Sequence, residues 1–354
     1  MLELREVARR VGAQTHIYPT SLVLRESAFN VLLGTTLAGK TTLMQLMAGL
    51  VPPSAGAVWF GGRDVTRVPV QQRKVAMVFQ QFINYPNLSV FENIASPLRV
   101  ARRPESEVRA RVGHIAELLQ LGPFLGRHPA ELSGGQQQRT ALARALVKDA
   151  DLVLLDEPLA NLDYKLREAL REELPRLFAN RQCTVVYATT EPSEALLLGG
   201  YTATVHEGRI TQYGANSAVY RQPADLLTAR VFSDPPINTA RVLKSGGRIR
   251  LSEQVDWPAE GHLRQLPDGD YTVGLRPHHV RPATGKGGGV QLDCKVLIAE
   301  ISGSESVVHF ELSGMPWVSL SHGVHVFKVG EAARFELDVA RCLYFAPDGA
   351  RVAG

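Results

Sequence analysis

The stretch that decides the fold is Gly34-Thr35-Thr36-Leu37-Ala38-Gly39-Lys40-Thr41, followed by Thr42. Its pattern, G-x-x-x-x-G-K-T, stands between an apolar run at 29–33 and a helical repeat of apolar residues from 43 to 50. Glycines at both ends let the backbone curl, so that its N–H groups and the helix N-terminus face phosphate oxygens. Lys40 adds a positive charge and Thr41 a hydroxyl for Mg²⁺, so the stretch predicts a phosphate-binding loop for a nucleotide.

Length and composition describe a globular protein with more than one domain. The chain has 354 residues, of which 45% are hydrophobic and 21% charged, and no apolar run approaches the roughly 20 residues that span a bilayer. The start lacks the apolar core of a signal peptide, and the three cysteines have no metal-ligand spacing. We therefore expect a cytosolic protein, and the net charge of +4 is too small to predict a nucleic-acid partner.

Apolar runs alternate with helical patterns over the first two thirds of the chain. Short strands are expected at 2–4 and 22–24, on either side of a loop. The alternation predicts an α/β fold around a parallel sheet, with an inserted helical subdomain at about 84–150. After Asp234-Pro235-Pro236 the chain changes to short alternating runs and turns. We expect one domain at 1–234 and an all-β, OB-like barrel at 235–354.

Two carboxylates follow the continuously apolar run at 152–155. In a parallel sheet, residues directly after such a strand lie at the edge where ligands bind. Asp156 is placed to hold Mg²⁺, directly or through water, and Glu157 to polarise the water that attacks a γ-phosphate. An acidic turn after a core strand is common by itself, but the phosphate loop upstream favours the catalytic interpretation.

A second glycine-rich stretch, Ser133-Gly134-Gly135-Gln136, opens another predicted helix. Exposed backbone N–H groups and the Ser133 hydroxyl would form a second anion-binding surface. Because the sequence has one phosphate loop, this surface would need the loop of another chain. A Ser-Gly-Gly pattern is also typical of a flexible turn or a helix cap.

Five motifs together resemble the ATPase subunits of ABC transporters. They are the phosphate loop, Gln80 after an apolar run, the Leu-Ser-Gly-Gly-Gln signature at 132–136, the Leu-Leu-Asp-Glu-Pro stretch at 154–158, and Leu159-Ala160-Asn161-Leu162-Asp163. Their order and spacing resemble that family over about residues 1–235. The resemblance implies an ABC-type P-loop ATPase fold.

Further stretches are similar to one branch of the family, the sugar and polyol importers typified by the maltose and glycerol-3-phosphate transporter ATPases. These stretches are Glu92-Asn93-Ile94, Arg276-Pro277-His278 and the C-terminal barrel, which would be of the TOBE type. The stretch Gln80-Gln81-Phe82-Ile83-Asn84-Tyr85-Pro86 resembles the bacterial glycerol importer ATPases more narrowly. The implied function is coupling of ATP binding and hydrolysis to uptake of a sugar or polyol, with a glycerol-like solute favoured.

The resemblance implies a role for each matching residue. Gln80, Thr41 and Asp156 would hold Mg²⁺, and Gln80 would join the metal to the attacking water. Phe82 and Tyr85 would lie in a loop that receives a membrane subunit, and Asp163 would lie at a dimer interface. ATP would bind between the phosphate loop of one chain and Ser133–Gln136 of another.

The same resemblance implies partners and a location. The chain would work with a second ATPase subunit, two transmembrane permease subunits and, indirectly, a periplasmic solute-binding protein. It would be held peripherally at the cytoplasmic face of the bacterial inner membrane. The barrel would be regulatory or dimer-stabilising, with a spacer that binds no ligand as an equal alternative.

The sequence departs from the family pattern at its own phosphate site. Thr190 stands where the family has a switch histidine, and a hydroxyl cannot carry the charge of an imidazolium. The adenine-stacking aromatic should fall near Arg10 or Val11, and neither is aromatic. Tyr18 or His16 could substitute, although a Tyr18 that fills the core is the favoured interpretation.

The signature at 133–136, which would bind the nucleotide of a partner chain, does not depart from the family pattern. We therefore predict a heterodimer with a different ATPase subunit, in which the Lys40 site of this chain binds ATP but turns it over slowly, with Thr190 in place of the histidine. The intact Glu157 argues against this prediction.

Two other functions are alternatives to an importer subunit. One is a soluble ABC-type ATPase that acts on nucleic acid or ribosomes, but the long heptad arms, zinc cysteines or second cassette of those proteins are absent from the sequence. The other is a regulatory subunit that binds nucleotide without hydrolysing it. The substitution Glu157→Gln would separate this function from catalysis.

Overall fold

The computed structural model describes residues 1–160, 162–179, 182–283, 289–312 and 314–352. Packing divides the chain into two units, Met1–Ser217 and Ala218–Gly354. This division lies before the change of composition at 234–236 from which the domain boundary was predicted. By packing, the short helix Leu226–Val231 therefore belongs to the second unit.

The elements of the first unit alternate as the sequence predicted. Its strands are β1 (Leu2–Val11), β2 (Gln14–Val23), β3 (Phe29–Leu33), β4 (Ala55–Phe60), β5 (Arg63–Asp64), β6 (Val75–Val78), β7 (Leu152–Asp156), β8 (Thr184–Thr189), β9 (Tyr201–His206) and β10 (Arg209–Ala215). Its helices are α1 (Lys40–Ala48), α2 (Val90–Val100), α3 (Glu105–Leu118), α4 (Gly134–Leu146), α5 (Tyr164–Ala179) and α6 (Pro192–Leu198). A further helix, α7 (Asn216–Arg221), begins in the first unit and ends in the second.

The central sheet has the strand order β10-β9-β3-β8-β7-β6. β3 pairs in parallel with β8 and β9, and β7 pairs in parallel with β6 and β8. Every residue of β3, β7 and β8 is buried, as is typical of parallel strands covered on both faces. The predicted parallel sheet is confirmed, and the ends of β3, β7 and β8 bring Gly34, Glu157 and Thr190 to one edge of it.

A second sheet, with the order β2-β1-β4-β5, is antiparallel and was not predicted. The expected short strands at 2–4 and 22–24 coincide with the start of β1 and, up to Val23, the end of β2, each of which has ten residues. A tight turn joins them at Gly12, whose φ is 59°. The loop prediction was wrong because register shifts between the two strands interrupt the alternation by which a strand is recognised.

The helices between β6 and β7 begin where their capping residues predicted. The Ser89 hydroxyl accepts a hydrogen bond from the Glu92 N–H at 3.2 Å at the start of α2. Pro104 precedes α3. At the start of α4, Gln136 Oε1 accepts the Ser133 N–H at 2.9 Å, which completes a capping box. None of the helices in the described part of the chain has the length and apolar character of a membrane span.

After the end of α7, the second unit contains α8 (Leu226–Val231), short 3-10 turns and a series of strands. The strands are β11 (Asn238–Ser245), β12 (Arg248–Arg250), β13 (Asp256–Pro258), β14 (Gly269–Leu275), β15 (Val280–Pro282), β16 (Val290–Ile301), β17 (Glu305–Leu312), β18 (Met315–His322), β19 (Ala332–Leu337) and β20 (Leu343–Phe345). The described strands form two antiparallel sheets, β13-β12-β11-β14-β20 and β15-β19-β16-β17-β18. One core that includes Trp257, Val273 and Phe310 joins the sheets, so the all-β, barrel-like prediction is confirmed.

Candidate nucleotide-binding site

The loop between β3 and α1 is too tight for side chains at two of its positions. A Cβ on Gly34 would lie 2.4 Å from the Val205 carbonyl oxygen. Gly39 has a φ of 106°, and a Cβ there would lie 2.9 Å from the Ile17 side chain. Leu37 also has a positive φ, 66°, which is strained for a residue with a side chain. The glycines therefore determine the curl that turns the loop into the first turn of α1.

Lys40 is the first residue of α1, and its side chain is 5% exposed. Its ammonium donates to the carbonyl oxygens of Gly34 at 2.8 Å and Thr35 at 3.0 Å, and lies 3.4 Å from Glu157 Oε1. Burial lowers the pKa of Lys40, while the carboxylate of Glu157 opposes that shift. A phosphate group in the loop would offer this charge stronger acceptors than the carbonyls.

Thr41 and Asp156 bring together two oxygen atoms that could bind a metal ion. The Thr41 hydroxyl donates to Asp156 Oδ2 at 2.7 Å, across the first turn of α1 and the end of β7. Burial raises the pKa of Asp156, and the hydrogen bond from Thr41 opposes the shift. Hydroxyl and carboxylate oxygens are the ligands that Mg²⁺ prefers, so this pair fits the metal that accompanies a nucleotide.

Glu157 lies between Lys40 and Gln80. The Gln80 side-chain amide donates to Glu157 Oε2 at 3.1 Å, and the Glu157 N–H donates to the Ala188 carbonyl at 3.0 Å. Glu157 has a φ of 47°, a strained value that turns its side chain at the end of β7. The Glu157 carboxylate is thereby placed between the Lys40 ammonium and the Gln80 amide. In this position it could act as the base for an attacking water.

Lys40, Gln80 and Glu157 line one cavity of about 550 Å³. Its lining includes the loop and catalytic candidates Thr36, Leu37, Ala38, Gly39, Lys40, Thr41, Thr42, Gln80 and Glu157. It also includes Gln14, Thr15, His16, Tyr18, Glu207 and Gly208. Tyr18 is half-buried and lines the cavity, so the expectation that it fills the core was wrong. In the alternation of β2 it is the neighbouring Ile17 that points inward.

Thr190 follows β8 at the same sheet edge and is exposed. Among the described residues it is not part of the cavity lining. Beside it lies a network that sequence reasoning missed, in which Glu194 accepts hydrogen bonds from Tyr187 at 3.0 Å and Thr189 at 2.6 Å. Burial raises the pKa of Tyr187 well above its ordinary value, and Glu194 adds to the shift. The sequence contained a signal for this network: Tyr187 and Thr189 share one face of β8, and Glu194 lies in the first turn of α6.

The signature residues stand apart from this cavity. Ser133 and Gly134 are exposed at the start of α4, and among the residues described here none of 133–136 lines the cavity. Asp163 is exposed, and its carboxylate accepts the Leu166 N–H at 3.0 Å in the first turn of α5. Asn161, in the same motif, lies outside the described residues. The roles of these residues at a dimer interface stay predictions.

Tyr85 is exposed, and Phe82 is half-buried. The buried Asn93 accepts the Tyr85 N–H at 2.8 Å and donates to the Tyr85 carbonyl at 3.0 Å. Arg144 of α4 stacks 4.7 Å from the centre of the Tyr85 ring and donates to Asn93 Oδ1 at 3.3 Å and to the Ile83 carbonyl. The loop that contains Phe82 and Tyr85, which we predicted to receive a membrane subunit and call the coupling loop, is thus bound to α4, the helix that begins at the signature. The sequence did not reveal this contact.

Comparisons with known proteins agree with this geometry. Residues 18–160 match the ABC transporter family and residues 273–345 match the TOBE domain. The chain is 35% identical over 350 residues to the sn-glycerol-3-phosphate import ATP-binding protein UgpC of Chromohalobacter salexigens, covering 97% of this chain and 93% of that protein. It is 34% identical over 355 residues to the uncharacterized ABC transporter ATP-binding protein y4oS of Sinorhizobium fredii, covering 99% and 94%.

A solved structure matches part of the chain. It is described as a dimeric structure of a post-hydrolysis state of the ATP-binding cassette MJ0796 bound to ADP and Pi. The TM-score is 0.56 at 27% identity, over 61% of this chain and 99% of that one. The ligands of the family are ATP and Mg²⁺, which the phosphate loop and the Thr41–Asp156 pair fit. The chain therefore belongs to the ATP-binding proteins of ABC transporters, in the carbohydrate and polyol uptake branch.

Proposed function

We propose that this chain is one of two non-identical ATP-binding subunits of a bacterial importer for a small polyol or its phosphate. The observation that supports ATP binding and hydrolysis is the cavity in which Lys40, Gln80 and Glu157 are joined by contacts of 3.1 and 3.4 Å. A cation for the γ-phosphate, a base and an amide that orients water are the parts that phosphoryl transfer to water requires.

Each side chain has a distinct task in that reaction. Lys40 stabilises the negative charge on the transferred phosphoryl group, and Glu157 accepts the proton of the attacking water as Gln80 orients it. Thr41 and Asp156 would hold Mg²⁺, which supplies charge neutralisation on the phosphates when bound. Because Lys40 already lies 3.4 Å from Glu157, the arriving phosphate would have to separate the two.

The other half of the site comes from a second subunit. The cavity of this chain is built without residues 133–136, so its signature is available to the phosphate loop of a partner. Thr190 weakens the Lys40 site, whereas the signature is unaltered, and this asymmetry supports a partner that has its own histidine. ATP would then bind at both interfaces but be hydrolysed mainly at the one where this chain supplies Ser133–Gln136.

Solute and location follow from the relatives and from the coupling loop. UgpC proteins are named for sn-glycerol-3-phosphate import, and residues 80–86 resemble those of glycerol importers. We assign glycerol or a glycerol phosphate as the solute class, delivered by a periplasmic solute-binding protein to two permease subunits. Phe82 and Tyr85 would dock on the permeases and hold the chain peripherally at the cytoplasmic face of the inner membrane.

The test is uptake of labelled glycerol and sn-glycerol-3-phosphate in cells that carry the intact chain, Glu157→Gln, or Glu172→Gln. Glu172 is an exposed glutamate of α5 and serves as the matched control. We expect Glu157→Gln to retain ATP at the Lys40 site of the purified complex and to lower uptake only slightly, because most hydrolysis takes place at the other interface. Glu172→Gln should leave both unchanged. Retention of ATP no greater in Glu157→Gln than in Glu172→Gln would contradict a catalytic role for Glu157, and uptake of neither solute by intact cells would contradict the solute class.

A further inference from the structure

We propose that the base of the bound nucleotide contacts His16 and Tyr18 on β2, and not the tip of the β1–β2 hairpin. The inference rests on the proposed nucleotide site and names the residues at its base-binding end. It follows from the residues that share one cavity with the phosphate loop.

The cavity that is lined by Gly39 and Lys40 is also lined by residues of β2. Successive side chains of a strand point to opposite faces, and Ile17 is fully buried. His16 and Tyr18 therefore share the other face, and both line the cavity. An imidazole and a phenol ring therefore line the same cavity as the phosphate loop.

Hydrogen bonds hold this face against the phosphate loop. The Tyr18 N–H donates to the Gly208 carbonyl at 3.0 Å, and the Gly208 N–H donates to the Ala38 carbonyl at 2.8 Å. A Cβ on Gly208 would lie 2.3 Å from the His16 carbonyl oxygen, so the turn fits closely against β2. The two rings are consequently positioned relative to the loop that would hold the phosphates of the same nucleotide.

Arg209 fixes one of the rings. Its guanidinium carbon lies 3.6 Å from the centre of the Tyr18 ring, within cation–π range. A phenol held in this way is a wall of the cavity before any ligand arrives, which lowers the entropic cost of binding. His16 is exposed beside it, so its ring can rotate onto the face of a base.

The hairpin tip offers no such surface. Val11 is 48% exposed, and Arg10 pairs with Thr15 across the hairpin while its N–H donates to the Ser54 hydroxyl at 3.0 Å. Neither residue belongs to the described lining of the cavity. The geometry therefore favours β2 over the tip for contact with the base.

The experiment is calorimetric titration of the full chain with ATP and, separately, with inorganic tripolyphosphate, both with Mg²⁺. Tripolyphosphate has the phosphates without the base, so it reports on the loop alone. The variants are His16→Ala, Tyr18→Ala, Tyr18→Phe and, as the matched control at the tip, Val11→Ala.

We expect His16→Ala and Tyr18→Ala each to raise the Kd for ATP about tenfold, the size typical of one stacked base. The Kd for tripolyphosphate should not change, Tyr18→Phe should keep most of the ATP affinity, and Val11→Ala should behave like the natural chain. An unchanged ATP affinity in both alanine variants, or a loss confined to Val11→Ala, would overturn the inference. An equal loss of ATP and tripolyphosphate affinity would also count against it, because the loop itself would then be damaged. Failure of the natural chain to bind tripolyphosphate would instead overturn the proposed phosphate site.

Discussion

The Thr189 hydroxyl donates to Glu194 Oε2 at 2.6 Å, one residue before Thr190. The same carboxylate accepts from Tyr187 at 3.0 Å and, through its other oxygen, from Arg171 at 3.1 Å. The end of β8 is thereby fastened to α6 and α5. Because these hydrogen bonds hold the end of β8 in place, a simple shift of the backbone at Thr190 cannot compensate for the missing histidine.

This buried pair should contribute strongly to stability. Glu194 and Arg171 are 6% and 10% exposed, and removing one partner of a buried pair typically costs about 3 to 5 kcal/mol. Glu194→Ala should lower the free energy of unfolding of the first unit by about 3 kcal/mol or more, measured by urea denaturation. The control is Glu173→Ala, which breaks an exposed pair with Arg176 and should cost less than about 1 kcal/mol. Equal, small losses in both variants would contradict the bracing role of Glu194.

Arg144 should matter for coupling more than for ATP binding. It touches Tyr85, Asn93 and Ile83 but, among the described residues, does not line the nucleotide cavity. We expect Arg144→Ala to lower solute uptake by the assembled transporter severalfold while the Kd for ATP stays the same. Arg139→Ala, on the same helix, serves as the control, because its guanidinium instead bonds the Leu119 carbonyl. A parallel fall in ATP affinity in Arg144→Ala would show that the arginine supports the nucleotide site itself.

The second unit should lose stability in mild acid. Burial, with the neighbouring His278, lowers the pKa of His279 to about 4; Asp338 opposes the shift, and Arg341 and Arg281 add to it. The ordinary value is about 6.5, so between these values the unfolded chain binds a proton that the folded chain does not. The stability from His279 is therefore complete above pH 6.5 and is lost as the pH falls towards 4.

The measurement is urea denaturation across this pH range, followed by the fluorescence of Trp257 and Trp317, which are buried in the second unit. His279→Gln should flatten the dependence on pH, whereas His322→Gln, at a residue with a side chain 92% exposed, should leave it unchanged. The same slope in His279→Gln and the natural chain would assign the pH dependence to other groups.

Some of the fold and the site was predictable because the signals were local. The parallel strand at 152–156 is apolar up to its last residue, Asp156, and the strand at 29–33 is apolar except for Asn30. Glycines and capping residues mark the loop and helix starts beside them. The antiparallel sheet was missed because bulges in β1 disturb its alternation. The Glu194 and Arg144 networks join residues far apart in the chain, so no local pattern reports them. Tyr18 was misplaced because a lone tyrosine suits a core or a cavity, and only the pairing of β2 decides which.

The central claim is that the Lys40 site is slow because Thr190 replaces a histidine, and that a different subunit completes the working site. The most direct test is the rate of ATP hydrolysis by the purified chain as its concentration is raised, beside Thr190→His. We predict a nearly silent natural chain and a clear gain of turnover in the variant. A natural chain whose rate climbs with concentration to the order of one turnover per second, and is unchanged by the added histidine, would contradict the claim and indicate an ordinary homodimer.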